Sequence, residues 1–132
     1  MNINIDFFQK DLIQAIGAGV YEISVYKNGE SRVLYIGESV CVLERCASHL
    51  YKLNEDPTYF GFTIHTISDS NIKLKFRLTE KIDEKDLRKQ KEIQLIKEKA
   101  PLTQSGVNDY QKSTADKVLA LTSFLESSFT NR

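Results

Sequence analysis

Hydrophobic and polar positions change period along this chain, and each change marks an element. Val20-Tyr21-Glu22-Ile23-Ser24-Val25-Tyr26 is rich in β-branched and aromatic residues and predicts a strand. Asn28-Gly29 follows, and both residues tolerate positive φ, which is the strongest short hairpin signal. Arg32-Val33-Leu34-Tyr35-Ile36 supplies the return strand, and Gly37-Glu38-Ser39 ends it. Ser39 is placed to cap a helix that starts near Val40. In that helix Leu43, Cys46, Leu50 and Leu53 recur at the spacing of a buried stripe. Arg45 and His49 are four apart, so they are neighbours on another face.

The pattern continues on both sides of this unit. Phe8, Leu12 and Ile16 share a helical face and Gly17 can end it, so residues 6–16 predict an N-terminal helix. Asn54-Glu55-Asp56-Pro57 is a break. Residues 58–68 fit two templates: Phe60, Phe62 and Ile64 alternate like a strand, while the Asp56-Pro57 start favours a helix, which is the expectation here. Lys73 to Leu78 alternates cleanly and predicts a third strand, with Leu74, Phe76 and Leu78 on one face and Lys73, Lys75 and Arg77 on the other. That basic row is either a solvated face or a ridge that meets phosphates. Asp83 and Asp86 open a helix running to about Lys99, and Pro101 stops it. Glu92 lies three and four residues before Leu95 and Ile96, so it borders the apolar side, where a carboxylate is costly unless paired or bound to a cation. Arg88 and Lys89 are within pairing reach on the same helix. Val118, Leu121, Leu125 and Phe129 share a face in a last segment, residues 113–129, which predicts a covering helix or a dimer contact. Monomer and homodimer both stay open.

Composition narrows the class. The 132 residues suit one compact domain, and 41% apolar with 27% charged residues is ordinary for a globular protein. No apolar run approaches the roughly 20 residues of a membrane span. The N-terminal residues lack the positive and apolar regions of a secretory signal, so a cytoplasmic protein is expected. Cys41 and Cys46 sit five apart on one predicted helix, a spacing that disfavours pairing with each other. Net charge is zero, which counts against avid nonspecific nucleic-acid binding. The charge is uneven, however: residues 1–66 carry a net −3 and residues 67–132 a net +3, so a phosphate-facing surface should draw on the second half.

Gly19-Val20-Tyr21, then Tyr35-Ile36-Gly37, then Arg45 and His49, resemble the GIY-YIG nuclease family. Glu92 with Leu95-Ile96 and then Pro101 looks like that family's later helix, and the likeness covers about residues 18–105. It implies an α/β (α+β) domain with a small three-stranded antiparallel sheet flanked by helices. The implied activity is metal-dependent endonucleolytic cleavage of DNA, leaving a 5′-phosphate and a 3′-hydroxyl. RNA as substrate, or a catalytically impaired binding or interaction module, are the alternatives.

The resemblance also implies roles. Arg45 would clamp the scissile phosphate through its planar fork of donors. Glu92 would anchor one divalent cation, Mg²⁺ or Mn²⁺, with several waters retained. Tyr21 or Tyr35 would orient the attacking water, and His49 would accept a proton directly or through Tyr21. Gly19, Gly37 and Gln104 would support the site, and Lys73, Lys75 and Arg77 would contact nucleic acid. A free phenol ionises near about pH 10, so a tyrosinate base needs cationic help. Two residues depart from the family pattern. Gln104 stands where asparagine is frequent, and Glu38 stands where some relatives carry a basic residue. His65 matches no role and is read as structural.

Overall fold

The computed structural model describes residues 1–105 and 110–130, with side chains through 127. The chain forms β1 (Asn4–Phe7), β2 (Gly19–Lys27), β3 (Glu30–Ser39), α1 (Val42–Glu55), β4 (Lys73–Lys81), α2 (Lys85–Lys99) and α3 (Thr114–Thr130). The α+β class holds, but the sheet has four strands in the order β1-β4-β2-β3. β2 is antiparallel to both β3 and β4, while β1 runs parallel to β4.

The hairpin forms where Asn28-Gly29 predicts it, with both residues at positive φ (55° and 82°). The N-terminal segment departs from expectation. Residues 4–7 are a strand in register with Lys73–Phe76, and the chain turns sharply at Phe8 (φ 55°) into a string of turns. The reason is tertiary: β4 has an open edge beside Lys73, and residues 4–7 satisfy its backbone groups, which a helix over 6–16 could not do. Leu12 and Ile16 of the expected helical face are exposed. Residues 58–68 form no continuous helix, only 3-10 turns at Pro57–Phe60 and Thr66–Ser68. Gly61, at φ 93°, breaks the run between them.

α1 begins two residues later than expected. Ser39 ends β3, and its hydroxyl accepts from the Cys41 N–H and donates to the Cys41 carbonyl, both at 3.1 Å. The orphan N–H groups of the first helical turn are met instead by a loop: Val42 donates to Gly17 O and Leu43 to Ala15 O. α2 ends as expected, with Ala100 in the left-handed region (φ 45°) before Pro101.

The sheet has a different core on each face. Tyr21, Ile23, Val25, Leu74 and Phe76 pack with Val42, Cys46 and Leu53 of α1 and Leu121 and Leu125 of α3. On the other face Val20 and Ile36 pack with Leu95 and Ile96 of α2. α3 covers the first core along Lys117, Leu121 and Leu125, with Val118 only half-buried, and the expected contribution of Phe129 lies outside the described side chains. Its close approach depends on Gly61, where an added Cβ would meet Lys117 O at 2.4 Å. No helix among the described residues is long and apolar enough to cross a membrane.

Candidate active site

The two tyrosines come together because their strands are neighbours. Tyr21 in β2 lies opposite Gly37 in β3, while Tyr35 lies opposite Ile23 on the same sheet face. Their rings stack with centroids 6.2 Å apart. The Tyr21 ring lies across Gly37 so closely that an alanine Cβ there would meet Tyr21 Oη at 2.3 Å. Gly19 is needed for a different close approach, since a Cβ at that position would stand 2.6 Å from Glu80 O on β4.

His49 departs from the sequence expectation. It is fully buried on the Cys46–Leu53 face of α1, because the site itself is part of the core on that side. Its Nε2 lies 2.7 Å from Tyr21 Oη and its Nδ1 2.7 Å from Tyr59 Oη. A neutral imidazole donates at one nitrogen and accepts at the other, so these contacts form a directional chain. Arg45, one turn earlier and half-buried, stands close enough to the Tyr35 phenol to lower its proton affinity. Beside Arg45 opens a cleft of about 240 Å³, lined by Ser39, Val40, Cys41, Glu44 and Ser48.

Burial dominates the proton affinities here. It raises the Tyr21 pKa far above the ordinary phenol value, with the neighbouring Tyr35 adding to the effect and Arg45 opposing it. The Tyr35 phenol is pushed up to about 12, again by burial first, with Arg45 pulling it back. Burial, then Arg45, Lys52 and Lys117, lower His49 to about 3. Burial also works against the Arg45 charge, but Tyr21, Tyr35 and Tyr59 outweigh it and raise its pKa. At neutral pH the cluster is therefore one fixed cation among neutral, hydrogen-bonded rings. His49 does not titrate near 6.5, so a pH–rate change at that value is not expected from it.

Glu92 belongs to α2, which packs on the opposite face of the sheet from the phenols. It is nearly buried (3% exposed), and its charge acts on both phenols. Lys89 Nζ stands 3.6 Å from its carboxylate. Among the described residues no group of three or more His, Cys, Asp or Glu side chains converges, so a divalent cation at Glu92 would find at most one further ligand of these types. That donor set fits Mg²⁺, which keeps several waters and takes further ligands from substrate phosphate.

The supporting residues have specific tasks. Gln104 accepts from the Ile36 N–H at 3.0 Å and donates to the Ile36 carbonyl at 2.8 Å. Its amide thus imitates a strand residue on the outer edge of β3, between Tyr35 and Gly37. Leu102 and Thr103 continue that pairing through Val33 O and Leu34 O. Glu38 turns to α2, pairing with Arg88 at 3.1 Å and Lys89 at 4.0 Å.

Comparison of the chain with family models, curated proteins and solved structures finds no match.

The basic row stands elsewhere. Arg77 lies opposite Glu22, on the face that α2 covers, and the phenols occupy the other face. Arg77 also serves the fold. Glu22 is buried, and its carboxylate accepts from Arg77 at 3.0 Å and from Lys99. Lys73 and Lys75 share that face of β4 but are not brought to the phenols. His65 is exposed at the surface. Sequence reasoning missed Tyr59 and Lys117. Lys117 sits at the helical spacing of Leu121 and Leu125 but is charged, and the only local signal at Tyr59 is its place after Asp56-Pro57.

Proposed function

We propose that this protein is a metal-dependent endonuclease cutting DNA phosphodiester bonds at the Tyr21–Tyr35–Arg45–His49–Glu92 cluster. One observation carries it. Tyr21, Tyr35 and His49 pack together where Gly37 leaves no room for a Cβ, and the charges of Arg45 and Glu92, from segments up to 71 positions away in sequence, act on both phenols. Their chemistry is what phosphodiester hydrolysis needs: a cation for the phosphate, a proton acceptor near a water, and an anchored carboxylate. Arg45 lines the open cleft and would grip the scissile phosphate in it. Tyr35, whose proton affinity Arg45 lowers, would orient the attacking water. Tyr21 would pass that water's proton to His49 Nε2. Glu92 would hold Mg²⁺ or Mn²⁺, which when bound supplies Lewis-acid stabilisation of charge on phosphate oxygens.

Supercoiled plasmid incubated with Mg²⁺ or Mn²⁺, and with EDTA, tests the activity. Cation-dependent nicking by the wild type is expected, with Glu92→Gln folded but at least 100-fold slower. Equal nicking by mutant and wild type would rule out this cation site. A non-catalytic nucleic-acid-binding module is the second reading, favoured by the basic row's position away from the phenols. Retained DNA binding without nicking in either cation would support it.

A further inference from the structure

Tyr59 lies in the turn Pro57–Phe60, and three interactions set its position. Asp56 Oδ1 accepts from the Thr58 N–H at 3.0 Å and from the Thr58 hydroxyl at 2.7 Å, pinning the start of the turn. Lys117 of α3 donates to the Tyr59 carbonyl at 3.0 Å. The ammonium groups of Lys52 and Lys117 stand 5.7 and 5.4 Å from the ring centroid. These constraints aim the phenol oxygen at His49 Nδ1. The burial gradient along the chain of contacts is steep: Tyr21 is 1% exposed and His49 0%, while Tyr59 is half-buried.

From this geometry we infer that Tyr59 is the outlet of a proton relay, Tyr21–His49–Tyr59, that carries the proton of the attacking water out to solvent. This rests on the phosphodiester-cleavage function above. The transfer balances without charging any member. The water O–H breaks and its proton goes to Tyr21 Oη. The Tyr21 proton goes to His49 Nε2, the Nδ1 proton goes to Tyr59 Oη, and the Tyr59 proton goes to a solvent water. Hydroxide is left to attack phosphorus, the P–O3′ bond breaks with its electron pair on the 3′ oxygen, both tyrosines remain phenols, and the imidazole has exchanged tautomers. Passage of a proton in reverse, from solvent at Tyr59 through His49 and Tyr21 to a water that passes one on to the 3′ oxygen, resets it. Movement in concert suits this cluster, since burial disfavours both an imidazolium at His49 and a phenolate at Tyr59. Tyr59 touches no substrate in this scheme; it acts through His49.

Tyr59→Phe removes the oxygen and keeps the ring. In the plasmid-nicking assay with Mg²⁺, the variant should melt within a few degrees of wild type. Its KM for plasmid should be unchanged, and its kcat should fall about tenfold or more. Imidazole added to the buffer should recover part of the loss. An unchanged kcat would overturn the relay and leave the nuclease function standing. A loss of kcat with a matching loss of melting temperature and no rescue by imidazole would also overturn it, assigning Tyr59 a structural role. Absence of nicking by the wild type would overturn the function and the relay together. Should the variant fail to fold, wild-type rates in H₂O–D₂O mixtures decide. A curved dependence on deuterium fraction is expected from protons moving together, and a linear one overturns the relay.

Discussion

A methyl group at position 37 would occupy space that the Tyr21 phenol now fills. The Cβ of Gly37→Ala would stand 2.3 Å from Tyr21 Oη, 2.5 Å from Cζ and 3.0 Å from Cε1, where ordinary contact begins at 3.4 Å. The oxygen must therefore move by about 1 Å, or β3 must. The bond from Tyr21 Oη to His49 Nε2 is 2.7 Å, so a shift of that size along it reaches beyond hydrogen-bonding distance. Overpacking of a filled core costs about 1–3 kcal/mol. Leaving a buried hydroxyl and imidazole nitrogen unpaired costs about 1–3 kcal/mol more. A total of roughly 2–6 kcal/mol is expected, against the ~5–15 kcal/mol that holds a domain together. Misplacing a reacting group by ~1 Å also slows turnover by about 100-fold. Thermal melting by circular dichroism and plasmid nicking measure the two effects on one preparation. Gly29→Ala is the control, because no atom lies within 4 Å of its Cβ and only its φ of 82° resists substitution. It should lose about 1–2 kcal/mol from backbone strain and keep full activity. If Gly37→Ala melted and nicked like wild type, the tight seating of Tyr21 would not matter and the geometric account of the site would fall.

His49 should make the fold sensitive to acid. The unfolded imidazole binds its proton near 6.5 while the folded one refuses it until about 3, so stability is fully present above pH 6.5 and is lost as pH falls through that window. The slope is about 1.4 kcal/mol per pH unit, and between pH 7 and 5 urea titration should show His49→Gln losing about 2 kcal/mol less than wild type; equal losses would refute the assignment. Gln104→Leu leaves the Ile36 N–H and carbonyl without their side-chain partner. It should lower stability by about 2–4 kcal/mol, and an unchanged urea midpoint would contradict that role. Lys73→Ser with Lys75→Ser should leave the salt dependence of DNA binding unchanged, since the row faces away from the phenols. A shallower slope, by about 0.9 per lost phosphate contact, would return the footprint to β4. Arg77→Ser should instead destabilise by about 1–3 kcal/mol, because Glu22 stays buried with Lys99 as its remaining cation.

Where local chemistry dominates, the chain was legible from its residues. Asn28-Gly29 makes the hairpin because few other pairs accept two positive φ values in succession. β4 follows from strict alternation, and α2 stops where Ala100 and Pro101 end it. The motif residues Tyr21, Tyr35, Arg45, His49 and Glu92 could be picked out in order, and the hairpin register brings the two tyrosines to one face. Their charge states could not be read the same way. His49 looks like a titrating surface imidazole until α1 is laid on the sheet, and then burial removes its proton near neutral pH.

The remaining features depend on partners distant in sequence. Phe8, Leu12 and Ile16 carry a helical pattern over residues 6–16, yet residues 4–7 form a strand and no helix follows, because β4, about 70 residues later, has an edge to pair. The basic row of β4 reads as a ridge for phosphate, but Arg77 is drawn to the buried carboxylate of Glu22 on the neighbouring strand. Gln104 reads as a supporting amide, but its partner, the backbone of Ile36 on the edge of β3, lies 68 residues away. Tyr59 carries no sequence signal beyond its place after Asp56-Pro57, because its importance lies in one oxygen 2.7 Å from His49 and in a lysine 58 residues further along the chain. Periodicity and turn chemistry report on a residue and its near neighbours, so they determined the elements and the candidate motif. Which edge is paired, which charge is neutralised and which ring meets the imidazole depend on contacts between remote segments, and only the packed tertiary structure decides those.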